Sequence, residues 1–388
     1  MSKKLILLLA LSLVLGNASS GYTAEAEVTT TTATVVPIIT LEQARGLAIE
    51  NSRTLQKHES NVKKTKYQQQ QAEYQLNEAI DRYNSIGSKL DEDNYSNSIL
   101  DQLDSQSEKI ESASDSIDNA EDSYNDAVKE ENNYQKQLGY LVEEFYTTIL
   151  NQEADLAKLN KEYELKEYFL NVERKKLGLG SSSQYKVDEL VAGVKQLNKN
   201  IIEQTNNIKT KKGQLNDMMG RGYDEELQLA SFEVPVTLEI PEYERLLSDV
   251  TYSYTRLSQL KRDLNNSKED YKDEDDYYKS LILSQEIKAK ELELVDETNG
   301  LYEKVNNMLT DAKSKQENYQ LILTNFRNAQ RSYEWDKKRY ELGQISKQAF
   351  LESELSFLNM QNQKISAAYA LYLAQGSLKL AAEGIVMN

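Results

Sequence analysis

No cysteine occurs anywhere in the 388 residues, which excludes a disulfide framework and the lipid-bearing cysteine of a lipoprotein. Proline is almost absent, at 3 residues, and glycine is sparse, at 15, so the usual helix breakers are rare and the long stretches between them read as extended helices. Apolar residues make up only 39% of the chain while 28% is charged, too polar for two compact domains of ordinary core. No excess of basic charge exists: the formal net charge is -17, which disfavours nucleic acid and anionic membrane surfaces as partners. The chemistry of a catalyst is missing as well. There is no phosphate-cradling glycine loop and no nucleophile elbow, and no carboxylate pair stands out from a background of 63 acidic residues. The single histidine, His58, has no Cys or second His as co-ligand and reads as a surface or interhelical residue. The acidic clusters at Asp91 to Asp93 and Asp273 to Asp276 lack the glycine and spaced ligands of a calcium loop. No enzyme activity, metal or cofactor is therefore expected.

The chain begins MSKKLILLLALSLVLGNASSGYTAEAE, where Lys3 and Lys4 precede an apolar run from Leu5 to Leu15. That run is too short to cross a bilayer as a helix and has the form of a cleaved export signal, with cleavage after Ser20 or Ala26. A signal over 1–26 and a Thr-rich linker over 27–39 place the protein outside the cytoplasm, with no anchor of its own expected in the mature chain. Among the aromatics, 25 Tyr outnumber 6 Phe. A tyrosine buries its ring and leaves its hydroxyl in water, which suits helices wetted on both sides.

Helical periodicity starts at Thr40, which forms a capping box with Gln43, and Leu41, Ala44, Leu47, Ala48 and Leu55 share one face. The pattern fades at about Asn84, and 85–118, rich in Ser, Asp and Asn, reads as a loop or irregular crossover. From about Ala120 the repeat is strict: Val142, Ile149, Leu156, Tyr163, Leu170 and Leu177 recur every seventh residue. Gly178 and Gly180 interrupt it, Ser181 and Gln184 read as a second capping box, and Val187, Val194, Ile201, Ile208 and Leu215 resume the sevenfold spacing up to Gly220. Two heptad helices joined by a tight glycine turn predict an antiparallel coiled-coil hairpin. A linker over 221–242 alternates apolar and polar residues and has room for a small strand.

The design then repeats. Tyr243, Leu246, Val250 and Leu257 echo Leu41, Ala44, Ala48 and Leu55, and Val305, Ala312, Tyr319, Phe326, Tyr333 and Tyr340 form another heptad row running into Gly343. A last helix runs from about Lys347 to Ala382. The helix starts Leu41 and Tyr243 are 202 residues apart and the glycines Gly178 and Gly343 are 165 apart, which assigns 37 extra residues to the first half, in the Ser/Asp segment. The predicted organisation is all-α: two tandem repeats of long antiparallel hairpins, 40–220 and 243–385, with both glycine turns at one end.

A signal sequence, L-x-x-A-x-x-x-A at a helix start, and two long helices meeting at R/K-x-x-L-G-x-x-S, all duplicated, resemble the TolC-like outer-membrane efflux ducts over essentially the whole mature chain. The resemblance implies a homotrimeric helical conduit. It also implies partners: a periplasmic adaptor of the membrane-fusion type, and an ABC or RND-type permease behind it. Its docking tips map onto Leu177, Gly178, Leu179, Gly180 and Ser181 and onto Leu342, Gly343, Gln344, Ile345 and Ser346. Tyr340 matches a position near the closing aperture. The acidic residue that the family often carries six positions beyond each glycine is replaced by Gln184 and Ala349, leaving Glu352 as the acidic candidate. The family's membrane strands, about ten residues of alternating character, are not evident in 85–118 or in the acidic stretch NNSKEDYKDEDDYYKSLILSQEI, which argues for a duct with the barrel absent or reduced. The competing reading is an extracytoplasmic coiled-coil scaffold that conducts nothing.

Overall fold

A computed structural model describes residues 37–89, 97–236 and 239–387. The export signal, most of the Thr-rich linker and the acidic cluster at 91–93 lie outside them. The elements run β1 (Ile38–Ile39), α1 (Leu41–Asn51), α2 (Arg53–Gly87), α3 (Asn97–Gly178), α4 (Gln184–Met218), β2 (Gln228–Leu229), α5 (Tyr243–Ser253), α6 (Thr255–Asp273), α7 (Tyr277–Glu341) and α8 (Lys347–Ala382). Among the described residues the only strands are β1 and β2, which pair in parallel with Ile38 opposite Gln228 and Ile39 opposite Leu229. No described helix is long and apolar enough to cross a membrane.

Duplication is visible element by element. Helices α1 and α5 are each 11 residues, and each ends in one extended residue before the next helix starts: Ser52 at φ -69, ψ 111 and Tyr254 at φ -70, ψ 109. Different side chains hold the same kink. Ser52 Oγ accepts from the Leu55 amide at 3.1 Å, whereas Tyr254 donates its hydroxyl to Glu297 at 2.8 Å. Behind each kink the matched apolar residues are buried, Ala44, Ala48 and Leu55 in one half and Leu246, Val250 and Leu257 in the other. The Thr40 capping box forms as expected, with Thr40 Oγ1 accepting from the Gln43 amide and Gln43 Oε1 accepting from the Thr40 amide.

The region 85–118 departs from the expectation of a loop: α2 continues to Gly87, and from Asn97 the chain is already in α3, one helix of 82 residues. Ser and Asp lowered the periodic signal without stopping the helix, because their exposed positions need no apolar partner. Ser112 and Asn119 accept the hydroxyls of Ser116 and Ser123 on their carbonyls, one turn back along the same helix. The extra length of the first half is thus mostly helix. Helix α2 has 35 residues against 19 in α6, and α3 has 82 against 65 in α7, so the first arm is longer by about 25 Å at the helical rise.

Helix α3 is the spine, packing against α1, α2, α4 and α8. Where the strands cross it, Tyr146 is fully buried and its hydroxyl lies 2.8 Å from the Ile39 carbonyl and 2.7 Å from the Ala230 carbonyl, bridging β1 and the residue after β2. Burial pushes its pKa up to about 12, which keeps the hydroxyl a donor. The segment after β2 carries Phe232 into a nest of Tyr146, Tyr369 and Tyr372, so the inter-repeat linker is strapped across α3 and α8. Replacing Tyr146 by Phe leaves two buried carbonyls without this donor. The expected loss is about 1–3 kcal/mol in thermal or denaturant unfolding, with faster amide exchange confined to β1 and β2; unchanged exchange there would remove Tyr146 as the clasp.

Candidate functional site

The two hairpin turns lie at the same end of the molecule. Three contacts fix α3 against α8 in one antiparallel register: Asn362 Nδ2 donates to the Ala154 carbonyl at 2.8 Å, Lys161 pairs with Glu354 at 2.8 Å, and Lys347 lies over the Tyr168 ring at 5.3 Å. As α3 advances toward its glycine turn, α8 retreats toward its own.

Each long helix ends in the same hydrogen-bonded turn. At the end of α3 the Gly180 amide donates to the Leu177 carbonyl at 2.9 Å and the Ser181 amide to the Lys176 carbonyl at 2.8 Å. After α7 the Gly343 amide donates to the Tyr340 carbonyl at 2.9 Å and the Gln344 amide to the Arg339 carbonyl at 2.7 Å. Both are left-handed glycine caps, with φ +72 at Gly180 and φ +70 at Gly343. This corrects the sequence register. Gly178 is the last residue of α3, and the partner of Gly343 is Gly180. The following helix is capped by Ser183, whose Oγ accepts from the Lys186 amide, and not by Ser181, whose Oγ donates to the Lys176 carbonyl at 3.1 Å. Ser346 caps α8 in the equivalent way, accepting from the Ala349 amide at 3.1 Å. Two overlapping stretches satisfy the same spacing in sequence, Arg174 to Ser181 and Lys176 to Ser183, and only the capping geometry separates them.

In the corrected register the two tips share more than was legible in the sequence. Glu173, Lys176, Leu179, Gly180 and Ser183 correspond to Asp336, Arg339, Leu342, Gly343 and Ser346. The acid and base pair within one turn in both, at 3.1 Å for Lys176 with Glu173 and 3.4 Å for Arg339 with Asp336. A serine hydroxyl also reaches each acid: Ser182 donates to Glu173, and Ser353 to Asp336 at 2.8 Å. The Ser182 hydrogen bond, then Lys176, holds the Glu173 carboxyl below its ordinary value. Leu179 and Leu342 are left standing in solvent, 83% and 71% exposed. Two leucines so placed bury little in this chain.

The remaining predicted residues separate. Leu177, Ser181, Gln344 and Ile345 line the turns, Leu177 and Ile345 half-buried and Ser181 and Gln344 exposed. Tyr340 is half-buried with its ring stacked on Phe350 at 4.6 Å, so the hairpin holds it. Glu352 is exposed and accepts from Gln348 Nε2 at 3.1 Å. Counted from Gly180, the position six residues on is Lys186, so neither tip carries an acidic residue there. Sequence reasoning also missed an aromatic ladder in the second hairpin, Tyr340 to Phe350, Tyr333 to Phe357 and Phe357 to Phe326, where the first hairpin has Leu177, Val187, Leu170, Val194 and Tyr163.

Among the described residues no group of three or more His, Cys, Asp or Glu is placed to hold a metal, and His58 instead stacks on Tyr134 at 5.0 Å. A cavity of about 690 Å³ lies between α1, α3 and α8. Glu143 is buried on its wall, bonded to Arg45 at 2.6 Å; burial raises its pKa and Arg45 opposes that rise.

No protein-family model matches the sequence, and no curated protein matches it either. Solved structures do match by shape. The outer membrane protein VceC of Vibrio cholerae aligns over 89% of this chain and 96% of its own, with TM-score 0.54 at 13% identity. The CmeC outer membrane channel of Campylobacter jejuni aligns over 89% and 86%, with TM-score 0.52 at 13% identity. The open-state MtrE outer membrane channel of Neisseria gonorrhoeae aligns over 89% of each chain, with TM-score 0.52 at 11% identity. The fold is that of the TolC-like outer-membrane ducts. In this TolC-like fold the duplicated hairpin turns are the feature that sets a site apart from the shaft.

The corrected register makes opposite predictions for neighbouring glycines. An added Cβ meets nothing within 4 Å at Gly178, Gly180 or Gly343, so only backbone conformation counts. Gly178→Ala should be neutral or stabilise α3 by about 0.5–1 kcal/mol, whereas Gly180→Ala and Gly343→Ala should each loosen their turn by about 1 kcal/mol or more. Amide exchange at the two turns reads the difference, and equal effects at 178 and 180 would contradict the assignment.

Proposed function

We propose that the protein is the exit duct of a tripartite-type efflux or secretion system. It is a passive conduit in the cell envelope, built from three copies, and it performs no chemistry of its own. The observation that carries this reading is the duplicated tip: one capped Leu-Gly turn, built twice from different surrounding sequence, placed at one end, with an exposed leucine on each. A turn that served folding alone would not need both leucines in water. They fit the end of an adaptor helix, with close backbone approach allowed at Gly180 and Gly343. An adaptor of the membrane-fusion type, coupled to an ABC or RND-type permease, is the partner that this arrangement suits. The likeness to outer membrane channels over 89% of the chain supports the duct reading.

A scaffold that conducts nothing is the second reading, favoured by one observation: the described strands are two residues each, and neither joins the arms formed by α2 with α3 or α6 with α7. Changing the tip leucines separates the two. Leu179→Asp combined with Leu342→Asp removes no buried contact, so helix content and melting temperature should stay within the range of surface substitutions, about 0.5 kcal/mol each. Export by cells carrying the variant in place of the native protein should fall at least tenfold. Undiminished export would exclude tip docking and leave the scaffold.

A further inference from the structure

The crossing of α1, α3 and α8 holds the cavity of about 690 Å³, a size that suits a small organic molecule. Glu143 of α3 stands on its wall with a side chain only 10% exposed. Arg45 of α1 and the Tyr372 hydroxyl of α8 both donate to that carboxylate, so its charge is answered within the chain. Burial, then the Glu143 charge, pushes Tyr372 up to about 12 and keeps its hydroxyl a donor.

The charge left over is positive. The whole chain carries 63 acidic against 46 basic residues, yet three bases, Arg45, Lys136 and Lys379, line the cavity with two acids, Glu143 and Glu383. Arg45 is matched by Glu143 at 2.6 Å and Lys136 by Glu383 at 2.6 Å. The Lys379 ammonium is exposed, has no ion-pair partner among the described residues, and acts on Glu143 only through space. Arg45 gives Glu143 one of the five donors of its guanidinium. Beside these cations lie apolar surfaces: the Tyr140 ring, Ile49 and Leu380.

A glycine keeps the cavity open. Gly139 lies well inside α3, with no positive φ that would call for glycine. An added Cβ there meets only Arg45 Cδ, at 3.9 Å, an ordinary contact. Packing accounts for the other glycine on the wall, Gly376, whose Cβ would come within 3.2 Å of the Tyr140 ring. It does not account for Gly139, whose missing side chain leaves room beside Arg45.

We propose that this cavity binds a small amphipathic organic anion, one anionic head on an apolar body. The head lies between Lys379 and the donors of Arg45 that Glu143 does not take. The body lies over Gly139, against Tyr140, Ile49 and Leu380. A ligand so placed ties α1 to both α3 and α8 at the crossing. The site is separate from the hairpin tips and does not depend on the chain's being a duct.

Fluorescence titration of the full-length protein with anilinonaphthalene sulfonate reads the site, with octanoate and inorganic phosphate as competitors. One saturable site per chain is expected, displaced by octanoate and not by phosphate at the same concentration. Lys379→Gln removes an exposed charge and should weaken binding at least about fivefold. Gly139→Leu fills the room beside Arg45 and should abolish it, both at unchanged helix content. Lys195→Gln, the same change of charge on the exposed face of α4, should bind as the native protein does. If Gly139→Leu loses helix content, Lys379→Gln against Lys195→Gln decides alone. Binding that fails to saturate, that ignores Lys379→Gln, or that phosphate displaces as well as octanoate does would overturn the site and leave the duct standing.

Discussion

A helix that offers one apolar row every seven residues can be covered along one seam only, and the rest of its surface stays in water. The shafts of α3 and α7 obey that limit, whereas the C-terminal half of α8 is buried on several sides. Val142, Ile149 and Leu170 on α3 and Val305, Ala312 and Tyr319 on α7 are buried, and most positions between them are exposed or half-buried. Such seams build no single globular core; the buried residues fall instead into three separate clusters, one of them where the strands cross α3. From that limit follow the 82-residue spine, the two arms and the two tips.

The crossing near Tyr146 and Phe232 is what gives the helices a common register. One hydroxyl bridges β1 and the residue after β2, and three aromatic rings hold the linker against α3 and α8. Distance from this point explains the behaviour of the ends. The tips are far from any core and are made reproducible by local devices alone, a left-handed glycine, a serine cap and an acid–base pair one turn before the leucine. Local devices of this kind leave the exposed leucines unconstrained by the chain itself. The aromatic ladder gives the second hairpin a continuous stack that the first lacks, so the two tips share a turn and differ in the seam behind it.

Much of this was legible because heptads and caps are short-range signals. The Thr40 capping box, the echo of Ala44 and Ala48 by Leu246 and Val250, the last helix and the small strand in the linker all follow from spacing within a few residues. What escaped depended on context. The stretch 97–118 is helical because an exposed helix face tolerates Ser and Asp, which read by composition as a loop. The choice between Gly178 and Gly180 was undecidable from residue types, since Ser181 and Ser183 serve a cap equally well until the backbone is known.

A conduit needs several copies of the chain to close one wall, and that closure is the central claim. Electron cryomicroscopy of the purified full-length protein, with particle mass from light scattering, tests that claim most directly. A closed ring of three chains is predicted, with six hairpin tips at one end and a continuous lumen between the helices. A particle with the mass of one chain at micromolar concentration would contradict it.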